Sequence, residues 1–368
     1  MNLPPTAGLR ADVEALAAIE RGAGSDGERR SAEWIAERLA AAGAADVQLR
    51  PFRYQGTYAG AHAAHFAFGM LGGPAAVAAA VSYELEYSGR SQWLRRLLPT
   101  AEATNVVARL PAAGEARRTL VLVAHHDAAR TGLIWDPRLV RLSRGGTFAT
   151  TPALAFGLAV PRRTRRLGRL LLAALLALQL DVARGATVPG ASDNASGVAA
   201  TLALLAAWAR EPLPGCEVIA LFPGCEEAGM GGMAAWMREE GAALDPSRTL
   251  VLGLDTLGAG DPVVAASEGP LLPQRFREAD LAWADAGAAA AGLPAPERVR
   301  VPAWTDPVLA LQAGLPAISL LSMRDGLFTE YHLPTDTPDR VDWGSVERCL
   351  TIAAATGAAW AAGSSPAG

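Results

Sequence analysis

Short, continuous apolar runs alternate along this chain with segments whose apolar positions recur at helical spacing. Residues 47–52 alternate weakly, 103–110 contain Val106 and Val107, and 119–124 read TLVLVA. Residues 218–222, 250–254 and 317–321 are further runs of the same kind. Runs this short and unbroken are what strands buried on both faces of a central sheet require. Helical spacing covers 10–22, 26–42, 195–209, 229–240, 273–291 and 345–362. In the second of these, Ala32, Ile35, Ala36 and Leu39 share a face and Gly43 follows as a stop. The succession predicts an α/β fold, a three-layer α/β/α sandwich around a mixed, mostly parallel central sheet. No internal repeat is visible.

Two stretches interrupt the alternation, at about 57–100 and 130–186. The first holds the apolar run from Phe66 to Tyr83, broken by Gly69, Gly72, Gly73 and Pro74. The second holds Arg162, Arg163, Arg165, Arg166 and Arg169, followed by the apolar run 170–180. Both read as insertions into a single domain that takes in residues 1–368.

Composition narrows the function. Of 368 residues, 51% are apolar and 19% charged, so a sizeable core is available and wholesale disorder is excluded. A formal net charge of -4 argues against a nucleic-acid partner, whose phosphates need a basic face. All 33 basic residues are Arg, and without Lys there is no Schiff-base, pyridoxal-phosphate or P-loop lysine chemistry. Cys216, Cys225 and Cys349 lack the spacing of a zinc ribbon or redox pair, and three cysteines suit a reducing compartment. Residues 1–20 carry acids and lack the basic-then-apolar layout of a secretion signal, so the expected location is cytoplasmic.

The chemistry-bearing residues sit where the apolar runs end. His125, His126 and Asp127 close the run 119–124, the end of a strand where open α/β sheets gather ligands. His-x-Asp puts two side chains on one side of an extended chain. A second string, 190–197, reads GASDNASG and leads into a helix; Asn194 or Ser196 would serve there as an N-cap. Glu226 and Glu227 follow the run 218–222, and two adjacent carboxylates at a strand end are costly unless paired or bound to a cation. Asp255 follows 250–254, and His332 and Asp336 lie in EYHLPTDT. Five loops, four of them after predicted strands, thus supply His, Asp, Glu, Asp and His. That nitrogen and oxygen set suits zinc or another first-row divalent ion, and its size matches two ions sharing a carboxylate.

On these residues the chain resembles the co-catalytic zinc aminopeptidases of metallopeptidase family 28. The resemblance covers 20–55, 103–130 and 186–362. It implies a zinc exopeptidase fold, two Zn2+ ions and a peptide substrate with a free N-terminus. His125 and Asp255 would bind one zinc, Glu227 and His332 the other, and Asp193 both. Glu226 would be the general base, Asp127 would orient the His125 imidazole, and Asp336 would support His332. Glutaminyl cyclases are similar to this family and form a rival reading, as does a non-catalytic binding protein on the same fold. The chain departs from the pattern in the long interval from Asp127 to Asp193, in Met233, and around Trp304, Thr305, Asp306 and Pro307.

The insertions raise a membrane question. The run from Phe66 to Tyr83 is 18 residues and 170–180 only 11, against about 20 for a spanning helix. A single crossing by each would put His125 and Asp127 on the opposite side from the other ligands. The expectation is therefore a lid or subunit interface, or peripheral membrane contact through Phe66 to Tyr83 and Arg162 to Leu180. His126 is expected to pack against an insertion or face the site mouth, packing being favoured. His62 and His65 are expected to be structural or solvated.

Overall fold

The computed structural model describes residues 6–44, 46–142 and 150–363. Part of the second insertion, 143–149, and the first five residues of the amino-terminal segment lie outside the described residues. The helices are α1 (Thr6–Ala17), α2 (Asp26–Ala41), α3 (Ala59–Gly69), α4 (Pro74–Tyr87), α5 (Pro137–Leu142), α6 (Thr151–Ala159), α7 (Arg165–Arg184), α8 (Ser196–Arg210), α9 (Gly231–Glu239), α10 (Glu278–Ala290), α11 (Pro307–Gln312) and α12 (Trp343–Ala362). The strands are β1 (Asp46–Tyr54), β2 (Ala101–Leu110), β3 (Ala113–Val123), β4 (Pro214–Phe222), β5 (Thr249–Leu254), β6 (Asp261–Glu268), β7 (Gln274–Arg275), β8 (Glu297–Val301) and β9 (Ala317–Met323).

These strands form one sheet in the order β1-β2-β4-β3-β5-β9-β6-β7, with β8 beside β6. Its centre, β4-β3-β5-β9, is parallel, and antiparallel pairs join β1 and β2 to one side and β6 to the other. Helices α1, α2, α8, α10 and α12 cover one face, and α9 and α11 the other. The expected three-layer sandwich is present. Because β3, β4, β5 and β9 run the same way, their carboxyl ends open on one edge of the sheet, where loops gather.

The apolar runs explain the centre. Leu120 and Leu122 of β3 point to one face and Val121 and Val123 to the other, and all are buried. Close approach on the α8–α12 side depends on Gly357, where a Cβ would meet the Trp208 ring at 2.8 Å.

Three sequence expectations shift. The helix read at 10–22 ends at Ala17, and Arg21 turns into the interior beyond it. The helix read at 273–291 begins only at Glu278, after the short β7. Phe66 to Tyr83 is not one helix: α3 stops at Gly69, Gly72 and Gly73 take positive φ, and Pro74 opens α4. No described helix is long and apolar enough to cross a membrane.

The two insertions pack on each other. Helices α3, α4, α6 and α7 enclose an apolar cluster of their own, including Phe66, Tyr83, Phe156, Leu172 and Leu175, separate from the main core. The α6–α7 turn bonds to the α3–α4 turn, with Gly73 N donating to Ala159 O at 3.1 Å and Arg169 Nε to Met70 O at 2.7 Å.

Truncating the centre of the sheet is expected to be costly. Leu122→Ala, on a strand flanked by β4 and β5, should lower unfolding free energy by about 2–5 kcal/mol. Urea denaturation of the two proteins checks it.

Candidate metal centre

Each candidate ligand hangs from the carboxyl edge of the parallel strands or from the loop facing it. His125 follows β3, Glu226 and Glu227 follow β4, and Asp255 follows β5. Asp193 lies in the tight turn Ala191–Ala195 before α8, where the Asp193–Asn194 peptide is cis. Asn194 ties that turn to β5: its Oδ1 accepts from Gly197 N and Thr256 N, and its Nδ2 donates to Leu254 O at 3.0 Å. The N-cap of α8 is Ala195 rather than Asn194 or Ser196, and Asn194 instead clamps two ligand loops together. Gly197 is required because a Cβ there would stand 2.2 Å from Leu254 O. His332 comes from the loop after β9 and has φ 57; Thr256 and Cys225, also beside ligands, take φ 50 and 54. Left-handed non-glycine residues of this kind concentrate at functional sites.

The structure brings all the sequence-predicted ligands together. His125 Nε2 lies 3.3 Å from Asp193 Oδ1, 3.8 Å from Asp255 Oδ1 and 4.0 Å from Glu226 Oε2. His332 Nε2 lies 3.3 Å from Asp193 Oδ2 and 3.1 Å from Glu227 Oε2. Asp193 thus turns one oxygen to each histidine. Ligand atoms of His125, Asp193 and Glu227 all fall within 4.8 Å of one another, a spacing one ion can span. Asp193 Oδ2, Glu227 Oε1 and both ring nitrogens of His332 are buried without a well-formed hydrogen bond. Buried polar atoms left this way call for a missing partner, and the donor set fits a divalent cation of the zinc type.

Charge says the same. Burial raises the Glu226 carboxyl well above its usual range, and Asp306, Glu227 and Asp255 reinforce it against His125. Burial brings Glu227 up to about 7. Burial lowers the imidazole of His125, but Asp127, Asp193 and Asp255 outweigh it and hold the ring well above its ordinary value. His332 is likewise carried to about 10 by Glu227 and Asp193 against its burial.

Behind the ligands stand groups that hold backbone. Asp127 accepts from Glu226 N at 3.0 Å and Glu227 N at 3.1 Å, fixing the glutamate pair. His125 Nδ1 is nearer the Asp127 carbonyl, at 3.2 Å, than its carboxylate, at 3.6 Å. Asp336 makes no hydrogen bond to His332; its two oxygens accept from Ser192 N and Asp193 N at 2.8 and 3.1 Å. Glu28 receives Gly24 N, Thr104 N and Cys225 N and so anchors the loop before the glutamates. His126 packs, but against the core rather than an insertion: Nε2 meets Thr104 O at 2.8 Å and Nδ1 the Ser31 hydroxyl at 2.7 Å. Its burial pulls the ring down to about 4, so it is neutral. His65 is structural, bonded to Ala61 O and Ser82 Oγ.

Sequence reasoning missed three things. Arg21, fully buried, donates to the carbonyls of Leu16, Pro189 and Gly190 and lies under the field of Asp336, Asp127, Asp193 and Glu227. Asp306 is a buried carboxyl facing the site, with neither oxygen hydrogen-bonded. Burial, with Asp127, Asp255 and Glu268 nearby, raises its carboxyl well above the usual range against His125. The third is an aromatic cavity of about 260 Å³ that reaches Glu226, Glu227 and His332 and is walled by Tyr58, Phe66, Tyr83, Trp135, Trp304 and Tyr331. His62 belongs to this wall, ringed by Tyr58, Tyr83 and Tyr87 at 4.8–5.1 Å between centroids. Tyr331 stacks on His332 at 3.8 Å and Trp135 meets the same ring edge-on. The only sequence signal was the adjacency of Tyr331 to His332; the rest lies in the insertions or before α11.

The sequence model of peptidase family M28 matches residues 105–357, well over half of the chain. The chain belongs to peptidase family M28. Among solved structures, this M28 chain is similar to an aminopeptidase from Aneurinibacillus sp. strain AM-1, with TM-score 0.59 and 16% identity over 96% of this chain and 93% of that one. It is similar to a zinc aminopeptidase from Bacillus subtilis, with TM-score 0.58 and 13% identity over 97% and 95%. A Bacteroides thetaiotaomicron glutaminyl cyclase matches as well, with TM-score 0.60 and 14% identity over 97% and 99%. At such identities the likeness is one of fold. No curated protein sequence matches the chain.

Removing a backing carboxylate should loosen metal binding without removing a ligand. Asp127→Asn replaces one acceptor of the Glu226 and Glu227 amides by a donor, and divalent-metal affinity is expected to fall about 10–100-fold. Competition with a chromophoric chelator measures this; an unchanged Kd would mean that Asp127 is not needed to hold the pair.

Proposed function

We propose that the protein is a zinc-dependent aminopeptidase that hydrolyses the first peptide bond of substrates with a free N-terminus. The observation that carries this reading is the convergence of His125, Glu227, Asp255 and His332 around Asp193, which turns one oxygen to each histidine, with Glu226 beside them. In this reading His125 and Asp255 would hold one zinc, Glu227 and His332 a second, and Asp193 both. When bound, such ions supply Lewis acidity at the scissile carbonyl and make water more acidic.

The chain's own groups do the rest. Glu226 is half-buried beside the ligands, 4.0 Å from His125 Nε2, so its carboxylate can take the proton from the attacking water. The water oxygen bonds to the carbonyl carbon and the C–N bond breaks. Glu226 then returns its proton to the departing amine nitrogen. Asp127 holds Glu226 and Glu227 in place through their backbone amides. The excess of buried carboxylate also suits a substrate α-ammonium group. The aromatic cavity beside Glu226 accounts for substrate choice, since it offers large apolar walls to the N-terminal side chain.

Zinc-loaded protein should release free amino acids from unblocked but not N-acetylated peptides. Glu226→Gln should lower kcat about 10²–10⁴-fold with zinc content unchanged. Conversion of N-terminal Gln peptides to pyroglutamate without hydrolysis would replace this reading by cyclisation, the reaction named for one of the similar structures. Within the panel, peptides beginning with Leu or Phe should exceed those beginning with Ala by about tenfold or more in kcat/KM. A flat profile would mean that the cavity does not receive that side chain.

A further inference from the structure

Apart from Leu49 and Leu272, every exposed large hydrophobic side chain among the described residues lies between Phe68 and Leu180. Most of them belong to the bundle α3, α4, α6 and α7. The outward positions of α4 are Val77, Ala78, Val81 and Leu85, while its two acids, Glu84 and Glu86, are buried. Beyond its first turns, α7 turns out Leu170, Ala174, Ala177 and Leu180. Helices α3 and α6 expose Phe68 and Leu154. These helices are thus apolar on the face that forms their shared core and apolar again on the face that leaves it. A helix hydrophobic all round belongs in an apolar environment.

The helices contact one another in a ring, α3 to α4, α4 to α6, α6 to α7 and α7 to α3. The α3–α4 and α6–α7 turns lie side by side at one end of the bundle, joined by Arg169 to Met70 O and Leu71 O. That end exposes Phe68, Leu71, Leu167 and Leu170. A planar lipid surface can meet one end of the bundle as a whole.

Charge favours the same occupant. The α6–α7 turn and the start of α7 carry Arg162, Arg163, Arg165, Arg166 and Arg169 without an acid among them, in a chain whose net charge is -4. Arg165 and Arg169 donate to carbonyls of the two turns. Arg162, Arg163 and Arg166 are exposed and pair with no carboxylate among the described residues. An apolar face with unpaired guanidinium groups at its end matches the acyl boundary and phosphates of an anionic bilayer. No described helix is long and apolar enough to cross a membrane, and His125, which follows β3, must stay on the side of the other ligands. We infer that the α3-α4-α6-α7 bundle docks on the surface of an anionic membrane without spanning it.

The test is co-sedimentation of the full chain with phosphatidylcholine vesicles, with and without phosphatidylglycerol, at low salt. Binding should be at least about tenfold stronger to the anionic vesicles and fall with added salt. Replacing Arg162, Arg163 and Arg166 together by Ser should weaken anionic binding about a hundredfold, at about fivefold per charge. The Val77→Ser, Val81→Ser, Leu170→Ser variant should abolish it. Both variants are used only if their melting temperature and zinc content match the parent. Equal binding to both vesicles, no binding, or binding untouched by either variant overturns the inference. So does a dimer that the apolar variant splits in sedimentation velocity while vesicles are ignored.

Discussion

The arrangement turns on an excess of buried negative charge. Asp127, Asp193, Glu226, Glu227, Asp255 and Asp336 gather at one edge of the sheet, and the basic side chains set among them are His125, His332 and Arg21. Carboxylates taken out of water are expensive unless hydrogen-bonded and balanced. Those in the rear meet the condition with protein: Asp127 and Asp336 each take two backbone amides, and Arg21 stands beneath them. Those in front, Asp193, Glu227 and Asp255, lack such partners, and a divalent cation is the remaining way to balance them. The fold around the edge is built to keep loops from relaxing away from that charge, with Asn194 joining the α8 turn to β5 and Glu28 pinning the loop after β4.

Much of this was legible in the order of residues. Strands β3, β4, β5 and β9 carry unbroken apolar runs because both their faces are covered, and each acid or histidine that ends such a run falls on the carboxyl edge. That combination, rather than any single motif, picked out the ligands. Strands β6, β7 and β8 were not legible: they lie toward the far edge, half exposed, and begin with or contain charged and small residues such as Asp261, Glu297 and Arg298. Arg21 fits a solvated face when amphipathic spacing is extended past Ala17; its burial depends on the carbonyls of Leu16, Pro189 and Gly190, the last two far away in sequence. Asp306 follows Thr305, whose hydroxyl and amide bind Glu268, and no local pattern reports a pairing that crosses from the turn before α11 to the end of β6.

The insertions show the same limit from the other side. Residues 57–100 and 130–186 read as separate interruptions because the His125 strand lies between them. Neither helical hairpin encloses a core alone, since short helices are marginal without tertiary packing. Packed together they bury Phe66, Phe156, Tyr83 and Leu175. The break at Gly69 to Pro74 is what lets the first insertion fold back, and Tyr83 then comes within 5.4 Å of the Phe66 ring. Hairpin formation thus supplies the Phe66 and Tyr83 part of the aromatic wall beside the glutamates.

This division of the bundle bears on how the site is used. Its inner side supplies Phe66, Tyr83, Leu175 and Gln179 to the cavity that meets Glu226 and Glu227. The cavity therefore keeps its shape only while two hairpins that share a small core stay packed. Segments held by few buried contacts open more readily than the sheet does. A surface that covers the outer faces of those hairpins would add to the packing that closes the cavity, and would do so without touching a single metal ligand. Coupling between the environment of the bundle and the shape of the cavity is then a property of the architecture, carried by the helices that belong to both.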